Sequence, residues 1–196
     1  MRTVALNHTK TPESRSSGFS LLELTVVLAI MLAILAFALI SHSHQLQYEQ
    51  LTGDARGLAH QISLARMRAG TDYTWAQISV NSSETPNSYT LQLCTVKGAS
   101  GCTTFSTEGG TQYLSTGDSF GFGSSSGAAG GQTTAAQTSQ LIFNSRGIPI
   151  DTTGAPTAND TIYLADTSGR AMAVSVTLSG HVKVWLYAGE SNWIGQ

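Results

Sequence analysis

The sequence contains little charge. Only 11% of its 196 residues are Asp, Glu, Lys or Arg, against roughly 25% in an average soluble protein. The formal net charge is −2 and the pI is about 6.2, which excludes a globally basic nucleic-acid-binding protein. Two cysteines are too few for a four-cysteine zinc site or for a small domain built on disulfides. The four prolines leave residues 13–85 without one, so nothing in that stretch forces a helix to break.

Hydrophobic residues make up 41% of the chain, but they are unevenly distributed. Residues 24–40 (LTVVLAIMLAILAFALI) are apolar except for Thr25. Residues 98–140 are mostly Gly, Ser, Thr, Ala and Gln. The chain therefore combines two different kinds of segment, and it has too much apolar sequence to be a disordered polar chain.

Residues 1–18 (MRTVALNHTKTPESRSSG) form a polar leader with three basic residues and one acidic residue. An ordinary secretory signal places its apolar stretch before the cleavage site. Here the order is reversed, because Gly18 precedes the apolar stretch. We therefore expect cleavage after Gly18 on the cytoplasmic side, which leaves the apolar segment on the mature chain. The basic leader favours a cytoplasmic amino terminus.

Residues 19–40 are 22 residues long, or about 33 Å as a helix, which is enough to span a bilayer core of about 30 Å. Beyond them, apolar residues recur at steps of four and three, as in an amphipathic helix. They are Leu51, Ala55, Leu58, Ile62, Ala65 and Ala69. Gly70 is a suitable helix stop. The pattern predicts one helix over residues 19–69: a membrane or filament-core part (19–45), and a part (46–70, counting the stop) whose stripe packs on a globular domain.

Glu23 is a carboxylate near the start of this apolar segment. Such a charge costs about 2–3 kcal/mol unless it is paired or lies near the membrane interface. Tolerance at the interface is one explanation. The other is a positive partner, because cleavage after Gly18 would create an ammonium group on Phe19, four residues away. In a helical assembly, Glu23 of one subunit would instead pair with the amino terminus of its neighbour.

Residues 18–24 (GFSLLEL) resemble the prepilin processing motif of type IV pilins and type II secretion pseudopilins. Gly18 stands before the scissile bond, Phe19 becomes the first residue, and Glu23 is fifth in the mature chain. The resemblance implies cleavage by a membrane prepilin peptidase and N-methylation of Phe19. It also implies extraction from the inner membrane, through an assembly platform, into a helical filament of pilin-like subunits. In that filament Glu23 is expected to guide docking.

Residues 71–196 are predicted to form one β-rich domain. Alternating apolar and polar residues predict strands at residues 73–80 and 88–96, which a turn-forming sequence separates. Further strands are predicted at residues 140–144, 161–165, 171–178 and 181–187, and short turns join the last three. The expected class is α+β, with the long helix packed on an antiparallel sandwich.

Two further segments resemble the GspH/FimT group of minor pilins and pseudopilins. One is the helix end at residues 63–69 (SLARMRA), and the other is the pattern that runs from residues 143–147 (FNSRG) to Gly180. The resemblance implies a small β-sandwich on the helix. It also implies a minor subunit of a type II secretion pseudopilus or of a type IV pilus.

Some type IV members of this group bind DNA through a Gly-Arg-x-Arg stretch, which corresponds here to residues 180–183 (GHVK). His181 and Lys183 are therefore the candidate DNA contacts. Without residues 1–18, however, the chain has 7 basic and 11 acidic residues. Phosphate binding needs several cations acting together, so we favour an exposed edge strand without DNA binding.

Cys94 and Cys102 flank a turn-rich segment. If the mature domain lies in the oxidising periplasm, as the resemblance implies, we expect a disulfide between them. The alternative is a pair of free buried thiols.

Residues 115–138 (STGDSFGFGSSSGAAGGQTTAAQT) form a low-complexity insert, which we expect to be a mobile surface loop. The alternative is a contact arm for a secreted substrate or a neighbouring subunit, with Phe120 and Phe122 as its anchors.

No arrangement of catalytic residues stands out, and we expect neither an enzyme nor a cofactor. His42 and His44 are two residues apart and do not share a helix face, which argues against a metal pair. Residues 151–160 (DTTGAPTAND) are acidic and turn-rich, but they lack the ordered spacing of an EF-hand calcium loop.

Three hypotheses follow. We favour a minor pseudopilin at or near the tip of a type II secretion pseudopilus, made as a single-pass inner-membrane protein with a periplasmic domain. The second is a minor type IV pilin that initiates pilus assembly or takes part in adhesion or DNA uptake. The third is an anchored β domain that binds a ligand and keeps residues 1–18.

Overall fold

The computed structural model describes residues 20–98, 101–190 and 192–196, without the side chains of residues 37–44. The chain divides into two compact units, Met1–Ser43 and His44–Gln196. One helix, α1 (Leu21–Thr71), contributes to both. The predicted leader lies outside the described residues, and so does Phe19.

The described part of the amino-terminal unit is helical, and its large apolar side chains are exposed. From Leu21 to Leu35 their exposed fractions range from 48% to 81%. In the described part of the chain, no helix is both long enough and apolar enough to cross a membrane. The predicted span of residues 19–40 extends beyond that part at both ends.

The carboxy-terminal unit contains the rest of α1 and two five-stranded antiparallel sheets. Sheet A has the order β3-β2-β1-β5-β6, with β1 (Ala76–Asn81), β2 (Ser88–Gly98), β3 (Gly101–Tyr113), β5 (Gln140–Phe143) and β6 (Pro149–Ile150). Sheet B has the order β10-β9-β8-β7-β4, with β4 (Ser119–Phe120), β7 (Asp160–Ala165), β8 (Ala171–Val176), β9 (Val182–Tyr187) and β10 (Trp193–Gly195). The α+β class with antiparallel sheets is confirmed.

The helix and both sheets share one hydrophobic core. The apolar stripe of α1 supplies six residues with no exposed surface: Leu51, Ala55, Leu58, Ile62, Ala65 and Ala69. Sheet A adds Ile78 and Phe143, and sheet B adds Leu164 and Val174. Burying a side chain of the size of Leu or Ile contributes about 1.5–3 kcal/mol, so this stripe is a main attachment of α1 to the sheets.

The end of the helix and several strands differ from the prediction: most predicted strands shift by one to three residues at an end, and β3, β4, β6 and β10 were not predicted. The helix does not stop at Gly70 but continues to Thr71, because the chain first enters the left-handed region at Tyr73, with φ of 49°. The Thr74 N–H then donates to the Ala69 carbonyl. Residues 101–113, for which the sequence predicts no strand, form β3 along β2. Their run of small polar residues hides the pairing, since Gly109 and Gly110 form a bulge in the ladder.

Candidate functional site

Glu23 lies in the first turn of α1 and is exposed. A carboxylate at this end of a helix is stabilised by the helix dipole. None of the ion pairs among the described residues involves Glu23. Gly18 and Phe19, the predicted processing residues, lie outside the described residues. A cation from outside the described part of the chain therefore has access to the Glu23 carboxylate.

Cys94 and Cys102 are joined by a disulfide near the turn of the β2–β3 hairpin, with their Cα atoms 5.8 Å apart. Cys94 is buried at the edge of the core, with 9% of its surface exposed. The bond closes a loop of eight residues, which contributes about 2–3 kcal/mol on the chain-entropy estimate. The bond holds the two strands together beside the register shifts between Cys94 and Lys97.

The candidate DNA contacts lie at the start of β9. His181 is exposed in the turn after β8, where its backbone N–H donates to the Thr177 hydroxyl. Lys183 is exposed, and its ammonium group lies 4.3 Å from the centre of the Trp185 ring. A cation over an aromatic face is attracted by the ring. Lys183 therefore already has a partner within the sheet.

Sequence reasoning missed a groove between the end of α1 and the β5–β6 turn. The groove has a volume of about 610 Å³, and Arg66, Met67, Tyr73 and Arg146 are among its lining residues. The Arg66 guanidinium donates to the carbonyls of Gly147 and Ser179, at 3.1 and 2.9 Å. Two arginines 80 positions apart in the sequence thus face one groove, a juxtaposition that no local motif indicates.

A cluster of carboxylates joins α1 to the loops of the carboxy-terminal unit, and sequence reasoning missed this too. Asp54 on α1 accepts hydrogen bonds from the backbone N–H and the hydroxyl of Ser115. Asp118 is only 7% exposed, and its Oδ2 accepts no hydrogen bond from the described residues. Burial, followed by the hydrogen bond and charge of Asp54, raises the pKa of Asp118 to about 7. Asp118 is therefore a carboxyl group that holds its proton close to neutral pH.

Asp166 and Arg170 form the other side of this cluster. The Arg170 Nε lies 2.7 Å from an Asp166 oxygen. Burial acts to raise the pKa of Asp166, but hydrogen bonds from Ser168 and Arg170 hold that pKa below its ordinary value. Asp166 stays ionised, and its charge adds to the field that keeps the proton on Asp118.

The predicted mobile loop at residues 115–138 instead packs across the outer face of sheet B. The Ala129 N–H donates to the Tyr163 hydroxyl, which itself donates to Gln132. Gln137 accepts a hydrogen bond from the Tyr163 N–H. Ala129 is 1% exposed. The insert packs closely on the outer face of sheet B because its glycines let the backbone approach the sheet, which larger residues would prevent.

The two phenylalanines of the insert are not a matched pair of exposed anchors. Phe120, in β4, packs against the main core and meets Tyr89 edge to face. Phe122 is 37% exposed, and its ring lies 4.8 Å from that of Tyr163. Both rings therefore pack on the domain, and only Phe122 keeps exposed surface for the alternative role as an anchor of a contact arm.

The acidic segment at residues 151–160 is used locally. The Asp151 carboxylate accepts three hydrogen bonds from Thr153 and Ala155, which lower its pKa. The half-buried Asp160 accepts one from Thr157. Within the described residues, no group of three or more His, Cys, Asp or Glu side chains is placed to hold a metal ion. The side chains of His42 and His44 lie outside the described part.

Comparison with known proteins identifies no family for this chain. No family model matches the chain, and neither does any curated protein. Two solved structures of the minor pseudopilin EpsH, from the type II secretion system of Vibrio cholerae, are similar to it. One is 12% identical, with a TM-score of 0.46, covering 71% of this chain and 99% of that one. The other is 14% identical, with a TM-score of 0.45, covering 74% and 98%. Identities and scores this low carry no argument about function.

Proposed function

We propose that the chain is a minor pseudopilin, a structural subunit at or near the tip of a type II secretion pseudopilus. The observation that carries the proposal is the exposed apolar surface of α1 directly after the processing motif. From Leu21 to Leu35, eleven large apolar side chains have at least 48% of their surface exposed. No more than one other residue separates any two neighbours among them, so they point in all directions around the helix.

An apolar surface of this kind is stable only when it is buried in a membrane or against other protein. Each large apolar side chain gains about 1.5–3 kcal/mol when it leaves water, and a helix that is apolar all round is buried in a protein core or a membrane. A pseudopilin uses both environments in turn: the inner membrane before assembly and a bundle of helices in the filament after it. In our proposal residues 19–40 first span the inner membrane, with the carboxy-terminal unit in the periplasm.

In our proposal, Glu23 fixes the axial position of each subunit relative to its neighbour in the filament. A single carboxylate is costly in an apolar bundle unless a cation meets it. After cleavage between Gly18 and Phe19, the amino terminus of a neighbouring subunit supplies that cation. Pairing would select one axial position of the incoming subunit, since any other position leaves both charges unpaired. The prepilin peptidase, the other pilins and the inner-membrane assembly platform are the partners that this role requires.

Glu23→Ala should be processed normally but should not enter the filament. Removing the carboxylate leaves the neighbour's ammonium group without a partner in the apolar bundle, while the cleavage site stays intact. The measurement is the fraction of the chain that copurifies with sheared filaments, with intact mass reporting the loss of residues 1–18 and the methylation of Phe19. We expect incorporation to fall at least tenfold, which corresponds to about 1.4 kcal/mol.

Glu49→Ala is the matched control, because Glu49 is an exposed glutamate on the same helix. It should be incorporated like the unmodified chain. Normal incorporation of Glu23→Ala would contradict the docking role. Retention of residues 1–18 in the intact mass would contradict the whole proposal and favour an anchored β domain.

A minor type IV pilin that takes part in DNA uptake or adhesion is the alternative function. The groove lined by Arg66 and Arg146 favours this alternative, because it places positive charge next to the turn at Gly180. The two groups are close: a Cβ added at Gly180 would lie 2.7 Å from the Arg66 Nε. This places Arg66 beside the turn that carries His181. The genes that surround the coding sequence separate the two functions, since secretion-channel genes favour a pseudopilus and pilus-motor or competence genes favour a pilus.

We expect DNA binding to be weak at 150 mM salt. Of the cations near the turn, Arg66 is engaged by two carbonyls and Lys183 by Trp185, and few others remain to release counterions. A gel shift of the full chain with duplex DNA, repeated at about 50 and 150 mM salt, measures this. Tight binding at the higher salt that is lost in Arg146→Ala would overturn the pseudopilus assignment in favour of the alternative.

A further inference from the structure

The outer face of sheet A carries a regular grid of uncharged polar side chains. Directly opposed residues of antiparallel strands point to the same side. One row across β1, β2 and β3 is Ser79, Thr90 and Thr111, and the next is Asn81, Ser88 and Tyr113. The rows are about 7 Å apart, because two residues separate them along each strand. The alternate residues of β1 and β2, among them Ile78 and Leu91, face the core.

The groups in this grid are largely unused by the protein. Among the described residues, the hydroxyls of Ser79, Ser88, Thr90 and Thr111 make no hydrogen bond to a protein atom. Although only 3% of Ser88 is exposed, its hydroxyl reaches the solvent in the groove. The hydroxyls of these rows can therefore exchange bound water for the polar groups of a ligand.

The grid lies in a groove of about 520 Å³ with an aromatic ring at its edge. Ligand sites commonly have volumes of about 300–1,000 Å³. Tyr113 lines the groove and is 60% exposed, so one face of its ring is available for stacking. Glu84, in the turn between β1 and β2, is the only charged residue in the lining.

These features fit a neutral sugar chain better than other ligands. A pyranose presents hydroxyls that both donate and accept around its edge, which serine, threonine and amide groups match. Its C–H faces pack on an amphipathic aromatic ring. A phosphate or sulfate group would meet Glu84 without any cation in the lining. A hydrophobic peptide would bury the hydroxyls without partners, which is costly.

We propose that this groove binds a neutral oligosaccharide, with Tyr113 as the stacking platform and the hydroxyls of Thr90 and Ser88 as hydrogen-bonding groups. The site lies on the outer face of sheet A and does not involve Glu23 or the apolar part of α1. It therefore goes beyond the filament role and does not depend on it.

Binding is tested with the full chain in a zwitterionic detergent that contains no sugar. The probes are the tetramer of N-acetylglucosamine and the tetramer of β-linked glucose, titrated by microscale thermophoresis. We expect saturable binding of at least one. A preference for the first would indicate an N-acetylated cell-wall glycan, and a preference for the second would indicate an unsubstituted polysaccharide. Absence of binding of both at about 10 mM would overturn the proposal.

Variants locate the binding. Tyr113→Ala should weaken it about tenfold, and Thr90→Val, which keeps the shape and removes the hydroxyl, several-fold. Tyr73→Ala is the matched control, because Tyr73 is 77% exposed and lies outside this groove; it should bind like the unmodified chain. Tryptophan fluorescence verifies that each variant is folded. If sugar binding is unaffected by both Tyr113→Ala and Thr90→Val, the groove is not the site.

Discussion

Gly130→Ala should destabilise the carboxy-terminal unit by about 3 kcal/mol. Gly130 lies in the insert with a φ of 67°, a conformation that costs an alanine about 1–2 kcal/mol. An added Cβ would also collide with the Cβ of Ser175 and lie 2.8 Å from the Thr161 hydroxyl, on the outer face of sheet B. Overpacking of this kind costs about 1–3 kcal/mol. Urea unfolding followed by tryptophan fluorescence measures the loss, since all three tryptophans belong to this unit.

Gly121→Ala is the control within the same insert. A Cβ at Gly121 meets no atom within 4 Å, and its φ lies outside the left-handed region. Its free energy of unfolding should change by no more than about 0.5 kcal/mol. If the two variants unfolded at the same urea concentration, the insert would be loosely attached, which would contradict its close packing on the outer face of sheet B.

The insert shows where composition misleads. Its Gly, Ser and Ala residues are typical of flexible linkers, and this supported the prediction of a mobile loop. The features that fix it lie elsewhere in the chain: the Tyr163 hydroxyl and the small residue Ala173 on the adjacent strands. A low-complexity sequence packs closely when a complementary face exists, and that face cannot be recognised from the insert alone.

Features with a local period were predictable. The spacing of the apolar residues between Leu51 and Ala69 identifies the face of α1 that is fully buried in the structure. The strands β7 and β8 are short, mostly apolar segments between turn sequences, and both of their faces are buried. In contrast, β3 consists mainly of small polar residues, and its bulge at Gly109 and Gly110 shifts the pairing with β2. Local pattern therefore predicts an element only where the buried positions are apolar in the sequence.

The sites depend on pairs that are distant in sequence. Asp54 and Asp118 come from α1 and from the loop after β3, and the rows on sheet A come from three strands. Nothing in the neighbourhood of Asp118, in the segment STGDSF, distinguishes it from an ordinary turn aspartate. Its raised pKa follows from burial and from partners that only the fold brings together.

Asp118→Asn should stabilise the protein above neutral pH. Burial, together with the neighbouring Asp54, raises the pKa of Asp118 from its ordinary value of 3.8 to about 7, so the native state holds a proton that the unfolded state releases. Stability from this group is fully present below about pH 4 and is lost as the pH rises through 7. One pKa unit corresponds to about 1.4 kcal/mol, which gives up to about 4 kcal/mol in total. An asparagine carries no such charge, and its amide donates to Asp54 in place of the carboxyl proton.

The difference in unfolding free energy between Asp118→Asn and the unmodified chain should therefore be small at pH 4, grow through pH 7 and stay constant above it. Two control variants show whether the change in unfolding free energy is specific to Asp118. Asp72→Asn removes a half-exposed carboxylate, 40% exposed, and should change little. Asp166→Asn removes the ionised partner of Arg170 and should destabilise the chain at neutral pH. If the difference between Asp118→Asn and the unmodified chain were the same at every pH, Asp118 would not hold the proton. The unfolding free energy depends on pH only where a group has different pKa values in the folded and unfolded states.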